Sequence, residues 1–219
     1  MLKFYYNPIS VNVRRVWVAL LEKQIPFEPI LLKLDGDQFD NEFTAINPFQ
    51  RIPVLLDNGF RVVESLAILD YLEAKYPSPS LMPKDERAIA TVRMVQMIAL
   101  NELQPATIPL MKPMVQLDVE PAKLEAAQQR IFTVLQFYET LLGDKLYFAG
   151  EEFTLAEVVA GTLIPSLPLF GISLEDYPNL KAWSDRLSQR ETWQQTTASS
   201  EQIAAAIPNI KQILERRAQ

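Results

Sequence analysis

Residues 47–72 read NPFQRIPVLLDNGFRVVESLAILDYL, and they set the architecture of everything around them. Ile52-Pro53 stands directly ahead of a short apolar run, Val54 to Leu56. Proline donates no ladder hydrogen bond, so it belongs at the first residue of a strand or on a sheet edge. Asp57-Asn58-Gly59 is the chemistry of a tight hairpin, because Asn and Gly accept the positive φ angles such a turn requires. Phe60 to Val63 supplies the returning strand. A helix follows, with Glu64-Ser65 at its mouth, Leu66, Ile68, Leu69 and Leu72 inside it and Pro77 just past its end.

Such a unit has binding capacity. Backbone groups of Ile52, at an edge that begins with a proline, can pair with a small extended peptide. The first turn of the next helix offers unpaired N–H groups and a partial positive charge, with Ser65 as an added hydroxyl, which together suit a carboxylate. Taken singly, Ser65 also reads as an N-cap and Pro53 as an edge blocker.

Working outward, Leu2 to Tyr6 is β-prone and closes on the turn Asn7-Pro8. Ser10-Val11-Asn12 leads into a helix from about Val13 to Lys23, and both Ser10 and Asn12 are good cap residues. Ile25 to Leu34 reads as a second strand, and Gly36 to Ile46 as a loop or short irregular helix. The order is βαβ then ββα, and the parallel pair needs a crossover of the length the first helix provides. PSPSLMP, residues 77–83, is the clearest linker. The expected division is therefore a first domain over 1–77, a linker over 78–84 and an all-helical domain over 85–219.

In the second half, helical periodicity runs from Asp85 to about Leu103. Pro105, Pro109 and Pro113 then recur at every fourth position, so this stretch is expected to be kinked or unwound. Leu110, Met111 and Met114 lie within it, and Met adapts to irregular apolar gaps. Glu120 to Leu142 is a long amphipathic helix ending at Gly143. Thr154 and Glu157 form a capping box ahead of an apolar helix, Leu155 to about Ile164, expected to be the buried centre of the domain. Pro178 opens a further helix, and the tail from Ser199 is weakly amphipathic.

The bulk properties remove several function classes. The 219 residues are 48% hydrophobic and 22% charged, with net charge −6 and a pI near 4.9. A basic footprint for nucleic acid or anionic lipid is absent in bulk. No apolar run reaches the length of a membrane span, and the N-terminus MLKFYY lacks a signal peptide's pattern, so a cytoplasmic location is expected. With no cysteine and no histidine, thiolate nucleophiles, disulfides, zinc–thiolate sites and histidine bases all drop out, and no metal site is expected. Catalysis has to use hydroxyls, carboxylates, amides, Arg or Lys, or a reactive group carried in by the ligand.

The segments NPISVNVRRVWVAL, NPFQRIPVLL, VVESLAILDYLEAKYP, FTLAEVVAG and YPNLKAWSDRLSQRETW, in this order around a proline-rich link, resemble the cytosolic glutathione S-transferases, in particular their serine-type members. The resemblance implies a thioredoxin-like first domain that binds glutathione, followed by an all-α helical bundle. It implies a cis Ile52-Pro53 bond and a homodimer that conjugates the glutathione thiolate to small apolar electrophiles. Ser10 falls where serine-type members keep the hydroxyl that meets the glutathione sulfur, and Asn12 stands close enough to be a second candidate. Ile52, beside Pro53, would pair its backbone with the cysteinyl unit. Glu64 and Ser65 would take the γ-glutamyl amine and carboxylate. Arg51 occupies a position used toward the glycine carboxylate, and Gln38 one where many members place a histidine. Leu110, Met111 and Met114 would line the electrophile pocket. Two other functions stay open: a non-catalytic interaction module on the same fold, and an isomerase or dehalogenase that uses glutathione. Members that work through a cysteine of their own are no guide here.

Overall fold

The computed structural model describes residues 1–217. The chain forms two compact units, Met1–Leu81 with Glu191–Asn209, and Met82–Arg190 with the residues from Ile210 onward.

The first unit is built on a four-stranded sheet in the order β2-β1-β3-β4, from β1 (Leu2–Tyr6), β2 (Phe27–Leu31), β3 (Val54–Asp57) and β4 (Phe60–Val63). β1 and β2 are parallel across the crossover helix α1 (Val11–Glu22), and the other pairs are antiparallel. The proline of Ile52-Pro53 therefore introduces an interior strand, as its position ahead of the first ladder residue permits. The two-residue turn Asn58-Gly59 has φ of 49° and 89°, the geometry that lets a hairpin keep its twist. Buried Asp57 secures that turn by accepting from Tyr71 Oη at 2.5 Å and from the ammonium of Lys75, both on α3 (Ser65–Lys75). Phe4, Val16, Leu20, Val54, Ile68 and Leu72 pack the core. The stretch read as a loop or short irregular helix holds a 3₁₀ turn (Asp37–Phe39) and a short helix α2 (Asn41–Ile46), whose Phe43 ring lies 5.7 Å from Tyr5.

The second unit is helical. α4 (Glu86–Ile98) passes through a π-turn (Ala99–Leu103) into α5 (Gln104–Met114). The prolines do not unwind α5. Pro105 sits in its first turn, where no N–H is needed, and Pro109 and Pro113 fall within a continuous helix. Their spacing explains this. The N–H groups missing at Pro109 and Pro113 would have met the carbonyls of Pro105 and Pro109, four residues back, so the defects line up on one stripe. Pro105 and Pro113 on that stripe are exposed, and water can serve the carbonyls left over. α6 (Pro121–Leu142) is the long amphipathic helix, and its Tyr138 hydroxyl donates to the Val95 carbonyl of α4 at 2.7 Å.

α7 is shorter than its apolar sequence suggests, running from Leu155 to Ala160 before Gly161 and a 3₁₀ stretch, Ile164–Phe170. Thr162 Oγ1 donates back to the Val159 carbonyl at 2.8 Å, and Pro165 has no N–H with which to continue the ladder. All of α7 is buried, and the capping box at its start is formed. Glu157 accepts from Thr154 N at 2.9 Å, Thr154 Oγ1 at 2.7 Å and Phe148 N at 2.9 Å. Helices α8 (Pro178–Ser188), α9 (Glu191–Thr196) and α10 (Ser200–Arg217) complete the chain.

Candidate functional site

The strand register gathers the residues singled out in the first unit. Tyr5 pairs with Val54 and Val54 with Val63, so the exit of β1, the entrance of β3 and the exit of β4 share one end of the sheet. β2, parallel to β1, leaves at the same end. Ser10 follows β1, Gln38 follows β2, Arg51 to Pro53 precede β3, and Glu64-Ser65 follow β4.

Buried Asn7 shapes the approach to Ser10. Its amide donates to the Leu32 carbonyl at 2.7 Å, and its Oδ1 accepts from Ile9 N at 3.1 Å. Ser10 is the N-cap of α1, with φ −82° and ψ 115°, and its Oγ accepts from Val13 N at 3.4 Å. The cap uses one lone pair over a long distance. The hydroxyl proton has no acceptor among the described residues. Capping and donation to a ligand therefore do not compete for the same function of that oxygen. Asn12 is differently placed: its Oδ1 accepts from Nη1 of fully buried Arg15 at 2.8 Å, so that carbonyl is committed inward.

The loop before β3 is organised by Asn47, a residue that sequence reasoning passed over. Its side chain donates to the Arg51 carbonyl at 2.7 Å and accepts from Phe49 N at 3.1 Å. The Asn-Pro pair at the start of the loop was the available signal, because Asn caps its own turns in this way. Gln50 takes a positive φ of 55°, Arg51 is exposed, and its guanidinium has no partner among the described residues. Ile52-Pro53 is cis, with both residues buried just before the ladder begins.

At the exit of β4, Glu64 has φ 68° and ψ 123°, a conformation that costs a non-glycine residue about 1–3 kcal/mol. The turn presents an exposed carboxylate and places Ser65, only 5% exposed, at the first position of α3. The Ser65 hydroxyl has no hydrogen-bond partner among the described residues. Gln38 is likewise 5% exposed, and its Oε1 is buried without a partner. Four elements thus deliver to one sheet end a hydroxyl donor, a buried serine at a helix start, an unmatched amide, a carboxylate and a guanidinium. That set suits a small peptide-like ligand bearing carboxylates, an amine and backbone amides.

The apolar trio lies on α5 in the second unit. Leu110 is buried, Met111 half-buried and Met114 48% exposed. Among the described residues no cluster of acidic side chains is placed to hold a metal, and no helix is long and apolar enough to cross a membrane.

Residues 4–80 match the family model for the glutathione S-transferase N-terminal domain, and residues 72–191 match that for the C-terminal domain. The chain belongs to the glutathione S-transferase family. Among similar proteins, "Glutathione S-transferase hmp2" of Hypomyces subiculosus is 32% identical over 91% of this chain and 99% of its own length. The "Maleylacetoacetate isomerase" of Rattus norvegicus is 31% identical over 82% of this chain and 84% of its own. Among solved structures, human glutathione-S-transferase T1-1 in its apo form superposes with a TM-score of 0.81 at 25% identity, covering 95% of this chain and 97% of that one. The sheet-then-bundle arrangement of this chain is thus that of the glutathione S-transferases, whose co-substrate is glutathione.

Proposed function

We propose that the protein is a cytosolic glutathione transferase that binds glutathione at the sheet end described above. It ionises the thiol with Ser10 and the start of α1, and joins the sulfur to small apolar electrophiles. The observation that carries this reading is the unused proton of the Ser10 hydroxyl. A thiol with a pKa of ~8.5 is only a few per cent thiolate at neutral pH, and lowering it by about two units requires ~2.7 kcal/mol of preferential stabilisation. One hydrogen bond to a charged group contributes ~1.5–3 kcal/mol, and the helix start adds to it. No histidine is needed. The thiol proton leaves to solvent, and sulfur forms a bond to the electrophilic carbon. A leaving group departs with its electron pair, or an activated double bond takes up the electrons and then a proton.

Ile52 is assigned to the cysteinyl backbone, Glu64 and Ser65 to the γ-glutamyl end, and Arg51 with Gln38 to the glycine end. Leu110, Met111 and Met114 are assigned to the electrophile. A two-fold homodimer is part of the same reading, and sedimentation at twice 25.0 kDa would support it.

The test is retention on immobilised glutathione, then thiolate absorbance of the binary complex against pH. Ser10→Ala should raise the thiol pKa and cut turnover while binding persists. A curve that moves for Asn12→Ala and not for Ser10→Ala transfers the role to Asn12. Failure of the wild type to bind glutathione favours a non-catalytic interaction module.

The similarity to a maleylacetoacetate isomerase favours a second reading. The same thiolate would add to a cis double bond conjugated to carbonyls, allow rotation about the resulting single bond and then be expelled. Isomerised product without consumption of glutathione distinguishes this from conjugation.

A further inference from the structure

Helix α9 follows Arg190, where the first segment of the helical unit ends, but groups with the sheet-bearing unit. It lies along α1 and is held near both ends of that helix. Near the last turn, Thr192 Oγ1 donates to Glu22 Oε1 at 2.5 Å. Near the first turn stands Arg14, whose Nε donates to Thr196 Oγ1 at 3.3 Å. Its Nη2 donates to Thr197 Oγ1 at 2.7 Å and to the Trp193 carbonyl at 3.4 Å. The guanidinium carbon is 5.9 Å from the Trp193 ring centroid.

This is an unusual way to join two helices. Burial lowers the Arg14 pKa to about 10, so the group stays charged at neutral pH, and among the described residues no carboxylate pairs with it. Placing a cation among neutral acceptors is costly, and an aliphatic side chain would pack the same contact without that cost. What a guanidinium adds is a rigid planar fork that fixes direction. The other end of that direction is Ser10, because the Arg14 N–H donates to the Ser10 carbonyl at 2.9 Å.

We propose that Arg14 is a positioning residue for the thiol site. Its guanidinium, forked across Trp193, Thr196 and Thr197, fixes the first turn of α1 and through it the aim of the Ser10 hydroxyl. The C-terminal segment then supports thiol ionisation without touching glutathione. This inference rests on the reading of Ser10 given above.

The test uses the full-length chain with glutathione and three variants: Arg14→Lys, which keeps the charge without the fork, Arg14→Gln, and Thr197→Val, which removes the shortest bond from the α9 side. The readouts are the pH titration of bound thiolate, kcat, and KM for glutathione. All three variants should raise the bound thiol's pKa and lower kcat about three- to tenfold, as small misplacements of a catalytic group do, with KM within about twofold. Melting temperatures that fall while the titration curve stays in place would make the clamp merely structural and overturn the proposal. Full recovery of the wild-type titration by Arg14→Lys would also overturn it, since charge alone would suffice. If the Arg14 variants do not fold, Thr197→Val decides the matter, because its side chain is exposed. A wild type without a thiolate signal overturns the Ser10 reading itself. A wild-type signal unchanged in Thr197→Val and the Arg14 variants overturns only the role of Arg14.

Discussion

Glu139, in the last turn of α6, caps Leu180 at the start of α8: its Oε2 accepts from Leu180 N at 2.9 Å, and its Oε1 accepts from Asn179 N at 2.9 Å. Tyr177, which precedes α8, provides no side-chain cap of its own, so a carboxylate forty residues earlier in the chain performs that duty. A negative charge against the positive end of a helix is favourable on electrostatic grounds as well. Glu139→Ala should destabilise the protein by ~1–2 kcal/mol, the scale of a lost helix cap, and Glu139→Gln by less. Urea unfolding checks this. Equal stability of wild type and Glu139→Ala would mean that water replaces the cap.

Arg51 is exposed, and the binding mode proposed above assigns it to the glycine end of the peptide. Arg51→Ala should weaken glutathione binding by ~1.5–3 kcal/mol, the range for a hydrogen bond to a charged group. The change should appear in KM with kcat nearly constant, since that end is remote from the sulfur. An unaltered KM would show that Arg51 points only into solvent.

On α5, Met111 and Met114 remain accessible while Leu110 is buried. Met111→Ala and Met114→Ala should change the ranking of electrophiles in a conjugation screen and leave glutathione affinity unchanged. A joint loss of thermal stability and of both affinities would place the two methionines in the packing of the helix instead.

Glu157 supplies a pH-dependent term. Its complete burial raises the pKa above the ordinary 4.5, opposed in part by the bonds from Phe148 and Thr154. The folded chain therefore holds a proton at this site more readily than the unfolded chain does. Its contribution to stability is greatest below about 4.5 and declines as pH rises through the folded-state value. Measured by chemical denaturation, the stability difference between wild type and Glu157→Gln should shrink as pH rises from that starting point. A difference independent of pH would mean that the three donors hold the carboxylate ionised throughout.

What was legible in the sequence shares one property: its causes lie a few residues apart. The Asn58-Gly59 turn, the α3 start at Ser65 and the Thr154/Glu157 capping box are all of this kind. α5 stays wound where its prolines suggest unwinding, because proline's penalty depends on which face of the helix carries the lost bonds, and solvent exposure is a tertiary fact. α7 stops at Ala160 although its apolar pattern continues, because Gly161 caps it and Pro165 has no N–H with which to extend the ladder. The Arg14 fork could not be anticipated at all, since Thr196 lies 182 residues away. At the candidate site, residue types were readable but hydrogen-bond direction was not. That Ser10 accepts its cap bond and keeps its proton is a matter of geometry.

β2 is an outer strand of the sheet, and its middle residue, Pro29, stands opposite Phe4. An outer strand ordinarily offers a row of donors and acceptors on which another chain can add a strand of its own, the first step toward aggregation. Pro29 removes a donor from that row, and Glu28 beside it brings a charge that resists stacking against a copy of itself. Leu31, 52% exposed on the same strand, is thereby kept from serving as part of a sticky ribbon. On the β2 side, the sheet that carries the candidate site is thus a poor template for a strand from another copy.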